Sequence, residues 1–157
     1  MQDGKINLRA LLPGEIAEEL KAMGQPAYRA KQVFDWVSRG AESFDEMTNL
    51  PKQLRSALDG KYYLYAPKVE RKQVSDEDGT VKYLWGLRDG NAVETVVMRY
   101  HYGNSICIST QVGCRQGCAF CASTIGGLVR NLDAGEMLEE VMFSEKESGL
   151  KIGHIVL

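Results

Sequence analysis

All four cysteines of the chain fall in "CISTQVGCRQGCAFC", residues 107–121. Three of them, Cys114, Cys118 and Cys121, are spaced C-x3-C-x2-C with the aromatic Phe120 just before the last. Three thiolates on one short loop can hold three corners of a cubane [4Fe-4S] cluster and leave the fourth iron without a protein ligand. Structural zinc sites instead close around four ligands, as paired C-x2-C units or with histidines. Here the nearest histidine, His101, lies outside the loop, and Cys107 would have to reach across seven residues. The spacing therefore favours an iron–sulfur cluster, with zinc, disulfides or plain burial as alternatives. Cys107 stands apart, either as a reactive thiol at the end of a strand or as a small core residue beside Ile106 and Ile108.

A carboxylate is the second chemical candidate. Alternation along "AVETVVM" places Glu94 on the same strand face as Val96 and Met98, where a raised pKa would make it a base and ordinary solvation would make it bland. Other candidates carry two readings each. Gly126 and Gly127 let the backbone approach a cofactor or form a plain turn. Arg115, Arg130 and Asn131, and on an earlier segment Tyr28, Arg29, Lys31 and Lys52, are nucleic-acid contacts or solvated surface. His101 and His154 read as packing or surface residues.

The elements that must position these groups follow from periodicity. Pro13 opens a helix whose apolar residues Ile16, Ala17, Leu20 and Met23 share a face, and Gly24 ends it. Ala30, Val33, Phe34 and Val37 predict a second helix closed by Gly40. A turn at Asn49 to Pro51 leads to a short third helix ending at Gly60. From about Tyr62 the chain becomes rich in β-branched and aromatic residues, with Asp78-Gly79 and Asp89-Gly90 as hairpin turns between antiparallel strands. A strand is expected at 105–110, then the cysteine loop. Asp133 and Glu136 have the spacing of a reciprocal helix cap, with Met137, Leu138, Val141 and Met142 as an apolar stripe and Gly149 at the far end. "IGHIVL" reads as a buried strand, which completes a βαβ unit and calls for a parallel sheet. The fold class is α/β, and the expected division is helices over 1–60, antiparallel strands over 61–100 and a parallel sheet begun over 101–157. A lone βαβ unit leaves most of a sheet unmade, so the sequence reads as the N-terminal portion of a longer protein.

At 157 residues, 44% hydrophobic and a net charge of −2, the chain can bury a core and offers no basic block that would by itself announce a nucleic-acid ligand. The start, MQDGKINLRA, lacks an apolar stretch, and no window approaches the roughly 20 apolar residues of a membrane span. The reading is a soluble, cytoplasmic protein, in which clustered thiols more often bind metal or react than form structural disulfides.

The cysteine spacing with its aromatic residue resembles that of radical S-adenosylmethionine enzymes. The longer run "CISTQVGCRQGCAFCASTIGGLVRNLDAGEM", with "YRAKQVFDW", "SFDEMTNLPKQLR" and "VETVVMRY", is similar to the RlmN/Cfr family of RNA methyltransferases across nearly the whole chain. "TQVGC" and "STIGGLVRNL" resemble its adenine-C2 branch more than its adenine-C8 branch. The resemblance implies a helical and antiparallel-strand accessory domain followed by the opening of a radical S-adenosylmethionine (β/α) barrel, truncated at the C-terminus. It implies that Cys114, Cys118 and Cys121 hold the [4Fe-4S] cluster, whose open iron chelates S-adenosyl-L-methionine for one-electron cleavage. It further implies methylation of adenine C2 in 23S ribosomal RNA and in certain transfer RNAs, with an electron donor such as flavodoxin or ferredoxin. Cys107 matches the thiol that resolves a covalent protein–RNA adduct, and Glu94 matches the proton acceptor. The family's methyl-carrying late cysteine and its Gly-Glu-Pro segment are absent, so this stretch alone is expected to be inactive. A non-catalytic zinc or iron–sulfur RNA-binding module is the alternative of a different class.

Overall fold

The periodic apolar residues of the first third become the buried faces of three helices, α1 (Pro13–Ala22), α2 (Tyr28–Ser38) and α3 (Lys52–Lys61). Ile16, Leu20, Val33, Val37, Leu54 and Leu58 meet in one core with Leu8, Met47 and Tyr62. Burying each such side chain contributes roughly 1.5–3 kcal/mol. Gly24 and Gly40 both take positive φ at the helix ends, the conformation that lets the chain turn away without a Cβ penalty. A short parallel pair, β1 (Ile6–Asn7) and β2 (Tyr62–Tyr63), ties the start of this unit to the end of α3. Arg9 is buried inside it, its guanidinium donating to the carbonyls of Tyr65, at 2.8 Å, and Ala41. In this computed structural model, which describes residues 4–157, the unit runs to Ala66 and a second begins at Pro67.

The second unit is a five-stranded sheet of order β3-β4-β5-β6-β9, built from β3 (Lys68–Val74), β4 (Val81–Gly86), β5 (Ala92–Tyr100), β6 (Gly103–Cys107) and β9 (Ile152–Val156). The first four pair antiparallel. Gly79 and Gly90 adopt positive φ in the two Asp-Gly turns, as such hairpins require. From β6 the chain makes a separate two-stranded ribbon, β7 (Gln111–Gly113) with β8 (Leu128–Asn131), then helix α4 (Ala134–Ser148), and returns as β9 parallel to β6. Asp133 caps α4 by accepting from the Glu136 amide at 2.8 Å, Glu136 accepts from the Asp133 amide at 3.0 Å, and Gly149 closes the helix in the left-handed conformation.

Three expectations need correction. The strand predicted over 105–110 ends at Cys107, because Ser109 gives its amide to a side chain rather than to a neighbouring strand. The apolar stripe of α4 is not its buried face: Leu138 is exposed and Met137, Val141 and Met142 are half-buried, whereas Glu136, Glu139, Glu140 and Phe143 are buried. Glu136 and Glu140 go under because they find partners there. Finally, β9 forms where expected but stands at the sheet edge with Ile155 and Val156 about half exposed.

Candidate active site on the cysteine loop

Strand register decides which reactive side chains can meet. Glu94 lies opposite Leu84, and Val96 lies opposite Cys107. Side chains of directly paired residues share a face, so Glu94, Val96 and Cys107 point to one side of the sheet. Thr95 and its partner Tyr83 are buried on the other, where α4 packs. The sequence reading of a shared face for Glu94, Val96 and Met98 matches the exposed-buried alternation of β5.

Between Cys107 and Cys114 the backbone leaves the sheet, and several of its polar groups are taken up by different elements. The Ile108 amide donates to the Val156 carbonyl at 3.0 Å and the Ser109 amide to Glu140 Oε2 at 3.1 Å. Ser109 Oγ donates to the Glu94 carbonyl at 2.8 Å, the Leu132 amide to the Thr110 carbonyl at 2.9 Å, and Gln111 Nε2 to Asn131 Oδ1 at 2.9 Å. Gly113 has φ +74°, and a Cβ there would strike the carbonyl oxygen of Gly127. That oxygen accepts the Cys114 amide at 3.1 Å. The close approach explains a glycine at 113, and Gly127 itself takes φ +68°.

The cysteine loop is held at its neck. Thr124 Oγ1 accepts the Gly117 amide at 2.9 Å and donates to the Cys114 carbonyl at 3.5 Å, and the Cys121 amide donates to the Cys118 carbonyl at 3.1 Å. All four cysteines are free thiols; Cys118 is exposed and Cys107, Cys114 and Cys121 are half-buried. Phe120 and Ile125 are almost fully exposed beside them. Among the described residues no three His, Cys, Asp or Glu side chains are gathered closely enough to hold a metal ion. The donor set is nevertheless of one soft kind, three thiols on one loop, which fits a thiolate-ligated iron–sulfur group better than a hard cation.

A cleft of about 500 Å³ runs along the end of the sheet, lined by Leu84, Glu94, Ser109, Thr110, Cys114 and Ser123 among others. It brings Glu94 and the first cysteine of the loop into one space; Cys107 is not part of its lining but shares the Glu94 face of the sheet. On another side of Glu94, a smaller hollow of about 130 Å³ is lined by Arg71, Gln73 and Lys82. Glu94 is about half exposed and pairs with Lys82 at 2.9 Å.

Arg130, one of the nucleic-acid candidates, is engaged within the fold. Its guanidinium makes two 2.7 Å bonds to the Glu136 carboxylate and one of 2.6 Å to Asp89 Oδ2. The Glu136 bonds raise the Arg130 pKa above its already high ordinary value, against the cost of burial. Burial by itself would push the Asp89 carboxyl up, but bonds from Arg130 and from the Asn91 side chain and amide outweigh it and hold the group at about 2. Asn131 is occupied by Gln111.

The residue that sequence reasoning missed is Glu140. It is 1% exposed, and burial pushes its carboxyl up to about 7. Thr95 Oγ1 and the Ser109 amide both donate to Oε2, while Oε1 has no hydrogen-bond partner among the described residues. Its i, i+4 relation to Glu136 was a signal in the sequence, masked by sorting the helix faces on hydrophobicity alone.

Residues 6–64 match the family described as ribosomal RNA large subunit methyltransferase N-terminal domain. The chain is 52% identical over 153 residues to the probable dual-specificity RNA methyltransferase RlmN of Alkaliphilus oremlandii, covering 98% of this chain and 45% of that protein. It is 49% identical over 156 residues to the protein of the same name from Desulforamulus reducens, covering 99% of this chain and 45% of the other. A crystal structure of a radical SAM methyltransferase from Sphaerobacter thermophilus superposes with a TM-score of 0.83 at 41% identity, over 97% of this chain and 46% of that one. The chain thus spans about half the length of the relatives it matches.

Proposed function

We propose, from the match of residues 6–64 to that N-terminal domain and the likeness to RlmN proteins and to a solved radical SAM methyltransferase, that the protein of which this chain is a part methylates adenine C2 in 23S ribosomal and transfer RNA. The reading carries with it a [4Fe-4S] cluster on Cys114, Cys118 and Cys121, S-adenosyl-L-methionine, an electron donor such as flavodoxin or ferredoxin, and a cytoplasmic location. No helix among the described residues is long and apolar enough to cross a membrane. When bound, the cluster and its sulfonium cofactor supply one-electron bond cleavage, chemistry that no amino-acid side chain here offers.

The chain's own residues have separable tasks. The neck bonds of Gly117 and Thr124 shape the loop that carries the three thiols, the first of which, Cys114, lines the cleft. Glu94, opening on the same cleft, is assigned the proton leaving adenine C2. Its partner Lys82 and the neighbouring Arg71 place positive charge where an RNA phosphate can be received. Cys107, on the same sheet face as Glu94 and outside the loop, is assigned the attack on the sulfur that links protein to RNA in the adduct: an S–S bond forms as the C–S bond breaks, and the carbon left on the adenine keeps the electron pair and takes up a proton. The observation that carries this reading is the convergence of Glu94 and Cys114 on one cleft, with Cys107 on the same side of the sheet. The experiment is mass spectrometry of digested ribosomal and transfer RNA from a deletion strain complemented by the full-length gene. Loss and recovery of 2-methyladenosine is expected; unchanged 2-methyladenosine, or recovery as the C8 isomer, refutes the reading.

A further inference from the structure

Ser109 occupies the point at which the chain turns from the strand bearing Cys107 toward the loop bearing Cys114. Its amide can no longer join the sheet ladder and would be an orphan donor, at a cost of about 1–3 kcal/mol. Glu140 takes it, reaching across from α4, and the same oxygen takes the Thr95 hydroxyl one residue from Glu94. Ser109 then spends its own hydroxyl on the Glu94 carbonyl. Three segments, α4, β5 and the exit of β6, are thereby joined through one carboxyl group. We propose that Glu140 is a positioning residue for the candidate site: its clasp on Thr95 and Ser109 sets where Glu94 and Cys107 stand relative to the cysteine loop. The inference rests on the assignment of Glu94 and Cys107 as reacting side chains.

The two bonds of the clasp favour the ionised carboxyl, and burial opposes them. Oε2 accepts twice while Oε1 has no partner among the described residues, and a full negative charge so placed in an apolar core would be poorly compensated. Burial accordingly pushes the group up to about 7. Among the described residues the neighbouring charged and titratable groups offer no cation to it: Glu136 is held by Arg130, Glu139 is buried on the same helix, Tyr83 lies opposite Thr95, and Lys72 on β3 is paired with Glu147. An amide reproduces the geometry, since its carbonyl oxygen can accept both bonds, and a leucine cannot.

The test uses full-length protein loaded with its cluster, comparing wild type, Glu140→Gln and Glu140→Leu for turnover on a 23S ribosomal RNA fragment, iron content, and amide exchange at Ser109. Glu140→Leu is expected to lower kcat by about ten-fold or more with KM for RNA little changed and iron retained, and to speed Ser109 exchange by about ten- to hundred-fold, the scale of one lost bond. Glu140→Gln is expected to stay close to wild type in both and to flatten the pH profile of kcat near neutrality. Unchanged kcat in Glu140→Leu, unchanged Ser109 exchange, or a Glu140→Gln enzyme as impaired as the leucine variant overturns the proposal. Should Glu140→Leu not fold, Ser109→Ala, which removes only the hydroxyl bond to the Glu94 carbonyl, must lower kcat in its place, and normal turnover there overturns it equally. Intact turnover in Glu94→Gln refutes the functional assignment of Glu94, and Ser109 exchange then decides the clasp by itself.

Discussion

Replacing Glu140 by glutamine should change how stability depends on pH, by an amount the structure fixes. A glutamate titrates near 4.5, and in this fold burial moves Glu140 to about 7. Between those values the folded protein keeps a proton that the unfolded chain has released, so stability falls as pH rises through the window and levels off above it. The full window is worth about 3 kcal/mol, and the part between about pH 5.5 and about pH 8 is worth about 2 kcal/mol. The loss should concentrate on the strands the carboxyl holds together. Hydrogen exchange of β5 and β6 amides in the full-length protein, corrected for the intrinsic pH dependence of exchange, reads it as an opening free energy. The wild type should lose about 2 kcal/mol of opening free energy between the two conditions, and Glu140→Gln less than about a quarter of that. Equal pH slopes in the two proteins would refute the assignment of a buried carboxyl with a raised pKa at this position.

Other perturbations address the scaffold. Gly113→Ala introduces a Cβ that meets the Gly127 carbonyl in a backbone conformation alanine rarely adopts; it should cost about 2–4 kcal/mol and lower the iron bound per chain, measured by metal analysis after anaerobic purification. Arg130→Met removes the partner of the buried Glu136 carboxylate and should lower stability by about 2–4 kcal/mol, read by thermal unfolding, while changing RNA affinity little because the guanidinium is already spent within the fold. Asp89, held at about 2 by Arg130 and Asn91, contributes stability that is complete above its ordinary value and is lost as pH falls through about 2; Asp89→Asn should reduce that acid sensitivity in the same unfolding assay. Glu94→Gln should leave iron content unchanged and suppress 2-methyladenosine formation, as quantified by mass spectrometry of the RNA product.

Helix ends and hairpin turns were legible in the sequence because local chemistry determines them. Asp133 with Glu136, Gly149, and the glycines at 79 and 90 stand where their spacing predicts. The shared face of Glu94 and Val96 was legible for the same reason, since alternation along a strand is a local property. The packing of α4 was not. Its buried face carries Glu136, Glu139 and Glu140, and the burial of Glu136 and Glu140 depends on partners outside the helix, at Arg130 and at Thr95 and Ser109 respectively. Hydrophobicity sorts side chains by their cost when unpaired, and Glu136 is paired in full while Glu140 is paired through one oxygen. The early end of β6 was hidden likewise: nothing in Ile108 or Ser109 tells that a helix will claim the Ser109 amide. The spacing of Cys114, Cys118 and Cys121 was plain from the residues, and their common loop at the rim of the Glu94 cleft follows from the β7–β8 ribbon that the sequence did not announce.

The division of labour among the four thiols is tested most directly by iron and acid-labile sulfide in anaerobically purified full-length protein, with each cysteine replaced by alanine in turn. Replacement of Cys114, Cys118 or Cys121 should abolish the cluster, and replacement of Cys107 should leave it intact while a covalent protein–RNA adduct accumulates. Iron lost with Cys107→Ala, or a full cluster surviving Cys118→Ala, would contradict the account.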